Sequence, residues 1–203
     1  MKPGGNQRTI HEKHVTPKKS LGQNFLLDAD LSRWIADQIE PDGAEVVMEI
    51  GPGLGALTEH LAGRPKRLVL IEKDAQLAAR LKERFSGRQD VDVVLEDASR
   101  MSLRPHYLHG GLRVIGNLPY SVGGEILKRV LTQPTPVTRA VFMLQKEVCD
   151  RLCAKMGDDA YGGLSLLVQK DWDVELLRVV PPDVFKPRPK VDSAVVRFAP
   201  REP

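Results

Sequence analysis

The chain has 203 residues, of which 41% are hydrophobic and 28% are charged. This is the composition of an ordinary globular protein, and it excludes a collagen-like, coiled-coil or wholly disordered chain. The longest unbroken apolar run, residues 140–144, is far shorter than the roughly 20 residues needed to cross a membrane. We therefore expect a protein without a membrane partner.

Cys149 and Cys153 are the only cysteines in the sequence. Two cysteines form neither a disulfide framework nor a four-ligand zinc site, so we expect no metal and two reduced thiols that serve helix packing. Residues 1–19 are polar and lack the apolar stretch of a secretory signal. Both observations favour a cytoplasmic protein.

The net charge is only +3, but the basic residues are concentrated at the two ends of the chain. The first twenty residues carry five Lys or Arg against the single acid Glu12, and residues 178–201 carry six more Lys or Arg. These ends could form one phosphate-facing surface or an ordinary solvated surface. Charge alone leaves both interpretations open.

Residues 1–17 lack hydrophobic periodicity, so we expect a mobile tail there and one domain over residues 18–203. Leu31 and Ile35 predict a first helix capped by Asp28 or Asp30. Apolar runs predict strands at residues 45–50, 67–71, 91–95, 112–115, 138–144, 174–180 and 194–198. Amphipathic segments predict helices at residues 55–62, 75–85, 121–131, 146–154 and 163–171.

This alternation of strands and helices predicts an α/β fold with a seven-stranded, mainly parallel sheet and helices on both faces. The last two strands are expected to form an antiparallel pair. In such folds ligands bind beyond the carboxyl ends of the strands. The informative residues of this sequence fall at those ends.

A glycine turn follows the first strand of the predicted sheet. Gly51 and Gly53 allow a tight turn and close approach of a ligand to the backbone. The pattern Gly51-x-Gly53-x-x-Ala56 also satisfies a dinucleotide fingerprint, so a dehydrogenase is an alternative. However, Pro52 offers no N–H, and Glu49 would repel a diphosphate but suit a cation such as the sulfonium S-adenosylmethionine, if its side chain faces the site.

Carboxylates end the next two strands. Glu72 lies close to the position where a carboxylate binds ribose hydroxyls in nucleotide-binding folds. Asp97 could accept a hydrogen bond from an adenine amino group. Either residue alone could simply cap a helix, but two such residues beside a glycine turn predict a nucleoside-bearing cofactor.

The fourth strand ends in Asn117-Leu118-Pro119-Tyr120. The Asn117 side-chain oxygen and the Leu118 carbonyl could accept both hydrogens of an aromatic amine, which would favour a pyramidal nitrogen with its lone pair aimed at a methyl group. Pro119 adds no competing N–H, and Tyr120 offers a face for stacking a base. Orientation and electrostatics would then carry the rate. The alternative is an Asn-Pro turn with a core tyrosine.

Asn-Leu-Pro-Tyr after Gly-Pro-Gly-x-Gly resembles the adenine-N6 methyltransferases, and within them the KsgA family of small-subunit rRNA adenine N6,N6-dimethyltransferases. The segments at residues 19–26, 145–148, 161–165 and 185–193 are similar to further signatures of that family. The resemblance implies a Rossmann-like class I fold. It also implies an enzyme that uses S-adenosylmethionine to methylate two adjacent adenosines in a hairpin loop near the 3′ end of small-subunit rRNA.

The resemblance also implies roles for individual residues. Tyr120 and Phe185 would sandwich the target adenine, with Asn117, Leu118 and Pro119 at the reacting amine. The predicted cofactor site consists of Gln23, Asn24, Leu26, Gly51, Gly53, Glu72, Lys73, Asp97, Ala98 and Asn117. The predicted RNA contacts are Lys18, Lys19, Lys186, Arg188 and Lys190. We expect a monomer that acts on the assembling small ribosomal subunit.

Two departures from the family pattern accompany this prediction. After Tyr120 the family usually has Ser or Thr and Pro around the helix start, whereas this sequence has Ser121-Val122-Gly123-Gly124. The two glycines should loosen the helix start, so we expect a less rigid tyrosine. The sequence also stops where relatives continue into a small helical domain, which we expect to be absent. A large-subunit rRNA methyltransferase and a non-catalytic RNA-binding assembly factor are the alternative functions.

Overall fold

The computed structural model describes residues 22–106, 111–132 and 134–201. Its strands are β1 (Phe25–Leu26), β2 (Val46–Ile50), β3 (Arg67–Glu72), β4 (Val91–Leu95), β5 (Leu112–Asn117), β6 (Val137–Gln145), β7 (Trp172–Val180), β8 (Phe185–Lys186) and β9 (Ser193–Pro200). Its α-helices are α1 (Ala29–Gln38), α2 (Thr58–Leu61), α3 (Ala75–Arg84), α4 (Gly123–Leu131), α5 (Lys146–Cys153) and α6 (Gly163–Gln169). None of these helices is long and apolar enough to cross a membrane.

Seven strands form one sheet in the order β4-β3-β2-β5-β6-β9-β7. The first five strands of this order are parallel, whereas β9 runs antiparallel to both β6 and β7. The predicted α/β sheet and its closing antiparallel pair are therefore confirmed. Because β7 is antiparallel to β9, its carboxyl end lies at the same edge of the sheet as the ends of the parallel strands.

Both faces of the sheet are covered, as the apolar strands require. All five residues of β2 are buried. Val47 packs in a cluster with α1 and α2, while its neighbour Met48 packs in a second cluster with α4 and α5. Successive side chains of a strand point to opposite faces, so these two clusters lie on opposite faces of one sheet.

Local sequence sets the helix starts. Asp28, one of the two predicted caps, accepts a hydrogen bond from the Leu31 N–H at 2.9 Å through Oδ1. Asp74 caps α3 in the same way, through a 2.9 Å bond from the Gln76 N–H. α2 begins only at Thr58, later than predicted, because Gly55 has a φ of 88° that continues the preceding turn instead of a helix.

The start of α4 differs from our expectation of a loose helix. The N–H groups of Val122 and Gly123 both donate to the Pro119 carbonyl, at 3.2 and 3.0 Å. Gly123 is buried, and a Cβ atom there would lie 3.0 Å from Leu144 Cδ2. The glycine therefore lets α4 approach β6 closely, and it belongs to a packed contact.

A second, two-stranded sheet was not predicted. β1 and β8 pair antiparallel, with Phe25 opposite Lys186 and Leu26 opposite Phe185. The Leu27 N–H extends the pairing with a 2.9 Å bond to the Val184 carbonyl. This pairing fixes the segment before α1 to the loop after β7, at the edge of the main sheet where the parallel strands end.

Candidate active site

A cleft lies at the carboxyl ends of β2, β3, β4 and β5. All ten residues of the predicted cofactor site line it, as do Leu118, Pro119 and Tyr120. The fold therefore brings together residues from the segment before α1, the glycine turn and three further strand ends. Lys18 and Lys19, like the predicted tail at residues 1–17, lie outside the described residues.

The glycine turn needs glycine for two separate reasons. Gly51 and Gly53 have φ values of 66° and 57°, in the left-handed region that other residues rarely adopt. A Cβ atom at Gly53 would also lie 3.2 Å from the ring of Phe25, which covers the turn. A side chain at Gly53 would therefore be opposed both by the backbone conformation and by the Phe25 ring.

Glu72 is held by two backbone donors. Its Oε2 accepts from the Gly53 N–H at 3.1 Å and its Oε1 from the Asp74 N–H at 2.8 Å. Burial raises the pKa of this carboxyl, and the backbone hydrogen bonds oppose that shift. Each oxygen keeps a further lone pair, so the fixed carboxylate can accept hydrogen bonds from two neighbouring hydroxyls.

Asp97 stands at the end of β4 as a strong acceptor. Lys73 Nζ lies 2.7 Å from its Oδ2, and Ser99 donates to Oδ1 through its N–H at 3.0 Å and its hydroxyl at 2.7 Å. The hydrogen bond from Lys73 is the main reason why the pKa of Asp97 falls to about 2. Lys73, predicted to contact the cofactor, here holds the carboxylate beside it.

Glu49 also lines the cleft, which fulfils the condition placed on it above. It is only 2% exposed, and Thr58 donates to its Oε2 at 2.7 Å. Burial, aided by repulsion from Glu72, raises the pKa of Glu49 to about 8, against the effect of the Thr58 hydrogen bond. A cationic group in the cleft would stabilise its ionised form.

Asn117 is oriented by the segment before α1. Its Nδ2 donates to the Asn24 carbonyl at 3.1 Å, which leaves the side-chain oxygen as the free acceptor of the amide. The Leu118 N–H donates to the Met143 carbonyl at 3.1 Å, while the Leu118 carbonyl accepts from no described backbone N–H. Asn117 and Leu118 therefore offer two oxygen acceptors at the end of β5.

The Tyr120 ring lines the cleft and is partly buried. Its hydroxyl lies 2.8 Å from Ser193 Oγ, at the start of β9. Burial raises the pKa of the phenol, so Tyr120 stays protonated and offers a neutral aromatic face.

Phe185 does not line the cleft. It is 4% exposed, pairs with Leu26 in the small sheet and packs with Val180 and Val195. In this conformation the ring is a core side chain. Phe185 belongs to β8, which pairs with β1, and its ring packs in the same apolar cluster as Val47. The stacking role assigned to Phe185 stays a prediction, and it requires the ring to leave this position.

The three predicted RNA contacts near Phe185 lie at the surface, whereas Phe185 is buried. Lys186, Arg188 and Lys190 are all exposed, and none forms an ion pair with a described residue. They lie next to β8, close to the segment that lines the cleft. Their charges are therefore available to a polyanion at that edge.

Sequence reasoning missed two residues of the site. Phe25 covers the glycine turn, and Ser193 holds Tyr120. Phe25 lies in the segment 19–26 and Ser193 in the segment 185–193, both of which resemble the family. That resemblance could have identified them as site residues. No group of three or more His, Cys, Asp or Glu that could hold a metal ion occurs within the described ranges.

The donors and acceptors of the cleft fit a nucleoside with a cationic tail. Glu72 suits ribose hydroxyls, Asp97 suits an adenine amine, and Glu49 suits a positive charge near the glycine turn. The positive-φ glycines form the turn that lines the cleft. The residues present therefore fit S-adenosylmethionine better than a diphosphate, because Pro52 in the turn offers no N–H to a phosphate.

The fold and the cleft define a Rossmann-like class I methyltransferase, and solved structures agree with this. The crystal structure of the 23S rRNA methyltransferase ErmE is 30% identical with a TM-score of 0.77, covering 87% of this chain and 70% of that one. A dimethyladenosine transferase from Plasmodium falciparum is 27% identical with a TM-score of 0.78, covering 87% of this chain and 63% of that one.

The family model for ribosomal RNA adenine dimethylase matches residues 15–203, and the chain belongs to this family. Proteins named ribosomal RNA small subunit methyltransferase A are similar to it. That of Leptothrix cholodnii is 42% identical over 190 residues, covering 93% of this chain and 69% of the relative. That of Acidobacterium capsulatum is 44% identical over 190 residues, covering 93% and 66%. The chain thus spans about two thirds of these relatives, and the predicted family and enzyme class are confirmed.

Proposed function

We propose that the chain transfers methyl groups from S-adenosylmethionine to the N6 amines of two adjacent adenosines in a hairpin loop near the 3′ end of small-subunit rRNA. The observation that carries this proposal is the orientation of Asn117. Its amide nitrogen donates to the Asn24 carbonyl at 3.1 Å, which leaves its oxygen as the acceptor of the amide, and the Leu118 carbonyl accepts from no described backbone N–H. Two acceptors match the two hydrogens of an exocyclic amine.

Bound S-adenosylmethionine supplies an electrophilic methyl group on a sulfonium. The chain's own residues hold and orient the amine. Asn117 and Leu118 accept its hydrogens, which directs the nitrogen lone pair out of the aromatic system. Tyr120 stacks on the base, a contact worth about 1–3 kcal/mol. The neutral phenol is not a base, so the proton leaves for solvent after the nitrogen has gained its methyl group and become acidic.

The roles of the carboxylates follow from their partners. Glu72, fixed by the Gly53 and Asp74 N–H groups, holds the ribose. Asp97, kept ionised by Lys73, accepts from the adenine amine of the cofactor. Glu49 faces the positive end of the same molecule. Gln23, Asn24, Leu26 and Ala98 line the same cleft and would contact the bound cofactor.

The choice of small-subunit rRNA rests on graded similarity. Relatives named for the small subunit are 42–44% identical, whereas ErmE, named for 23S rRNA, is 30% identical. The large-subunit alternative is kept as the second candidate because ErmE shares the fold over 87% of this chain. We further propose that the protein acts as a monomer in the cytoplasm on assembling small subunits.

The test is methylation with radiolabelled S-adenosylmethionine of small subunits and large-subunit rRNA that lack these methyl groups. We expect label in adenine of small-subunit rRNA, and none with Asn117→Ala. Label confined to large-subunit rRNA would select the second candidate. Full labelling by Asn117→Ala would remove the basis of the mechanism.

A further inference from the structure

A second basic region lies beside the cleft. Residues 98–136 contain five Lys or Arg against the single acid Glu125. Three of the five, Arg100, Arg104 and Arg129, line one open surface pocket together with Ser102 and Thr135. This arginine pocket shares no lining residue with the cleft described above.

The pocket has a preformed floor. Arg129 donates through Nε to the Ser99 carbonyl at 3.0 Å and through Nη1 to the Met101 carbonyl at 3.1 Å, which ties α4 to the loop after β4. The Trp172 indole donates to the Leu131 carbonyl at 2.7 Å and fixes the end of α4. The position of Arg129 is therefore set by packed elements.

Arg100 and Arg104 are exposed, and neither forms an ion pair with any described residue. Other arginines of the surface do have carboxylate partners. Arg64 contacts Asp37 and Asp42, and Arg88 contacts Asp90 at 2.8 Å. Like charges gathered in one pocket without an acid raise the local potential and favour an anionic partner.

The arginine pocket adjoins the cleft. Ala98 lines the cleft, and Arg100, two residues later, lines the pocket. Guanidinium groups bind phosphate oxygens in a bidentate manner. A polynucleotide whose target base enters the cleft can therefore place a neighbouring backbone phosphate in the pocket.

We infer that the arginine pocket binds backbone phosphates of small-subunit rRNA that flank the methylated adenosines, as a second contact that adds affinity without sequence information. This inference rests on the proposed function. It goes beyond the predicted contacts at Lys18, Lys19, Lys186, Arg188 and Lys190, which lie in other segments of the chain.

The test compares the double variant Arg100→Gln/Arg104→Gln with the matched control Arg151→Gln/Lys170→Gln, which removes the same charge from exposed positions of α5 and the end of α6. Binding to undermethylated small subunits and to protein-free small-subunit rRNA is measured between 50 and 200 mM salt, values at which phosphate contacts are salt-sensitive. We expect the pocket variant to bind both roughly tenfold or more weakly at low salt. The slope of log K against log salt should fall by about 1.5, since each lost contact removes roughly 0.7–0.9.

Equal affinity and equal slope for the pocket variant and the control would overturn the inference. So would a loss seen with whole subunits but not with protein-free rRNA, because it would assign the pocket to a ribosomal protein. If the unmodified protein itself neither binds nor methylates small-subunit rRNA, the proposed function has failed. An unchanged melting-temperature response to S-adenosylhomocysteine shows that the variant is folded.

Discussion

The hydroxyl of Tyr120 lies 2.8 Å from the Oγ atom of Ser193, although the two residues are 73 positions apart in the sequence. Tyr120 ends the motif at the reacting amine, and Ser193 begins β9 and is buried. This bond anchors the stacking ring to the central antiparallel strand. Tyr120 lies in a loop before α4, and the bond to Ser193 restricts the motion that such a position would otherwise allow.

We predict that Ser193→Ala lowers kcat for methylation by roughly 3- to 10-fold, because a hydrogen bond contributes about 0.5–1.5 kcal/mol net. The variant should leave S-adenosylhomocysteine affinity unchanged. Tyr120→Phe, which keeps the ring, should show the same loss, and the double variant should be no worse than either single one. Additive losses in the double variant would show that the two hydroxyls act independently.

A second prediction concerns Glu72. For the unmodified protein, S-adenosylhomocysteine at about 100 times its Kd should stabilise by about 2.7 kcal/mol, which corresponds to roughly 5–10 °C in Tm for a domain of this size. Glu72→Ala should reduce that shift at the same ligand concentration, because the ribose acceptor is lost. Thermal unfolding with and without ligand measures it, with Glu147→Ala on the exposed face of α5 as the control. A full shift in Glu72→Ala would place the ribose elsewhere.

A third prediction follows from the buried carboxyl of Glu49. Its folded-state pKa of about 8 lies above its ordinary value of 4.5, so the folded protein binds the proton more tightly than the unfolded chain. This contribution to stability is complete below about pH 4.5 and is lost as the pH rises to about 8. Urea unfolding midpoints between pH 5 and pH 8 should therefore fall less steeply in Glu49→Gln than in the unmodified protein. Parallel pH profiles for the two proteins would contradict this assignment.

The fourth prediction separates two neighbouring glycines. Nothing lies within 4 Å of a Cβ atom built at Gly124, whereas one at Gly123 meets Leu144 at 3.0 Å. Gly124→Ala should therefore stabilise the protein by up to about 1 kcal/mol through helix propensity. Gly123→Ala should gain less or destabilise, because Leu144 is buried and must shift. Chemical denaturation measures both, and equal gains would mean that α4 does not depend on close packing at its start.

Much of the fold could be predicted because its strands are continuous apolar runs. β2, β3 and β5 are buried on both faces, and such strands stand out in the sequence without knowledge of their partners. The carboxyl ends of parallel strands share one edge, so Glu72, Asp97 and Asn117 could be placed together before their contacts were known.

What could not be predicted depends on contacts between distant segments. β1 and β8 have two residues each, too few to show a period of two. Phe185, followed by Pro187 and Pro189, suits either a stacking ring or a core side chain. Its burial in this structure depends on the pairing with Leu26, which the sequence does not show. Lys73 meets Asp97, and Tyr120 meets Ser193, because of the order of the strands in the sheet. Hydrophobic periodicity identifies strands but does not reveal that order.

The small sheet of β1 and β8 joins positions about 160 residues apart through two opposed pairs, so the entropy of closing that loop is balanced by few bonds. It is expected to open far more often than the seven-stranded sheet, as sparsely bonded segments do. The Leu27 amide should then exchange its hydrogen for deuterium faster than amides of β2. Such fluctuations would admit a cofactor, and release Phe185 toward an incoming base, without global unfolding.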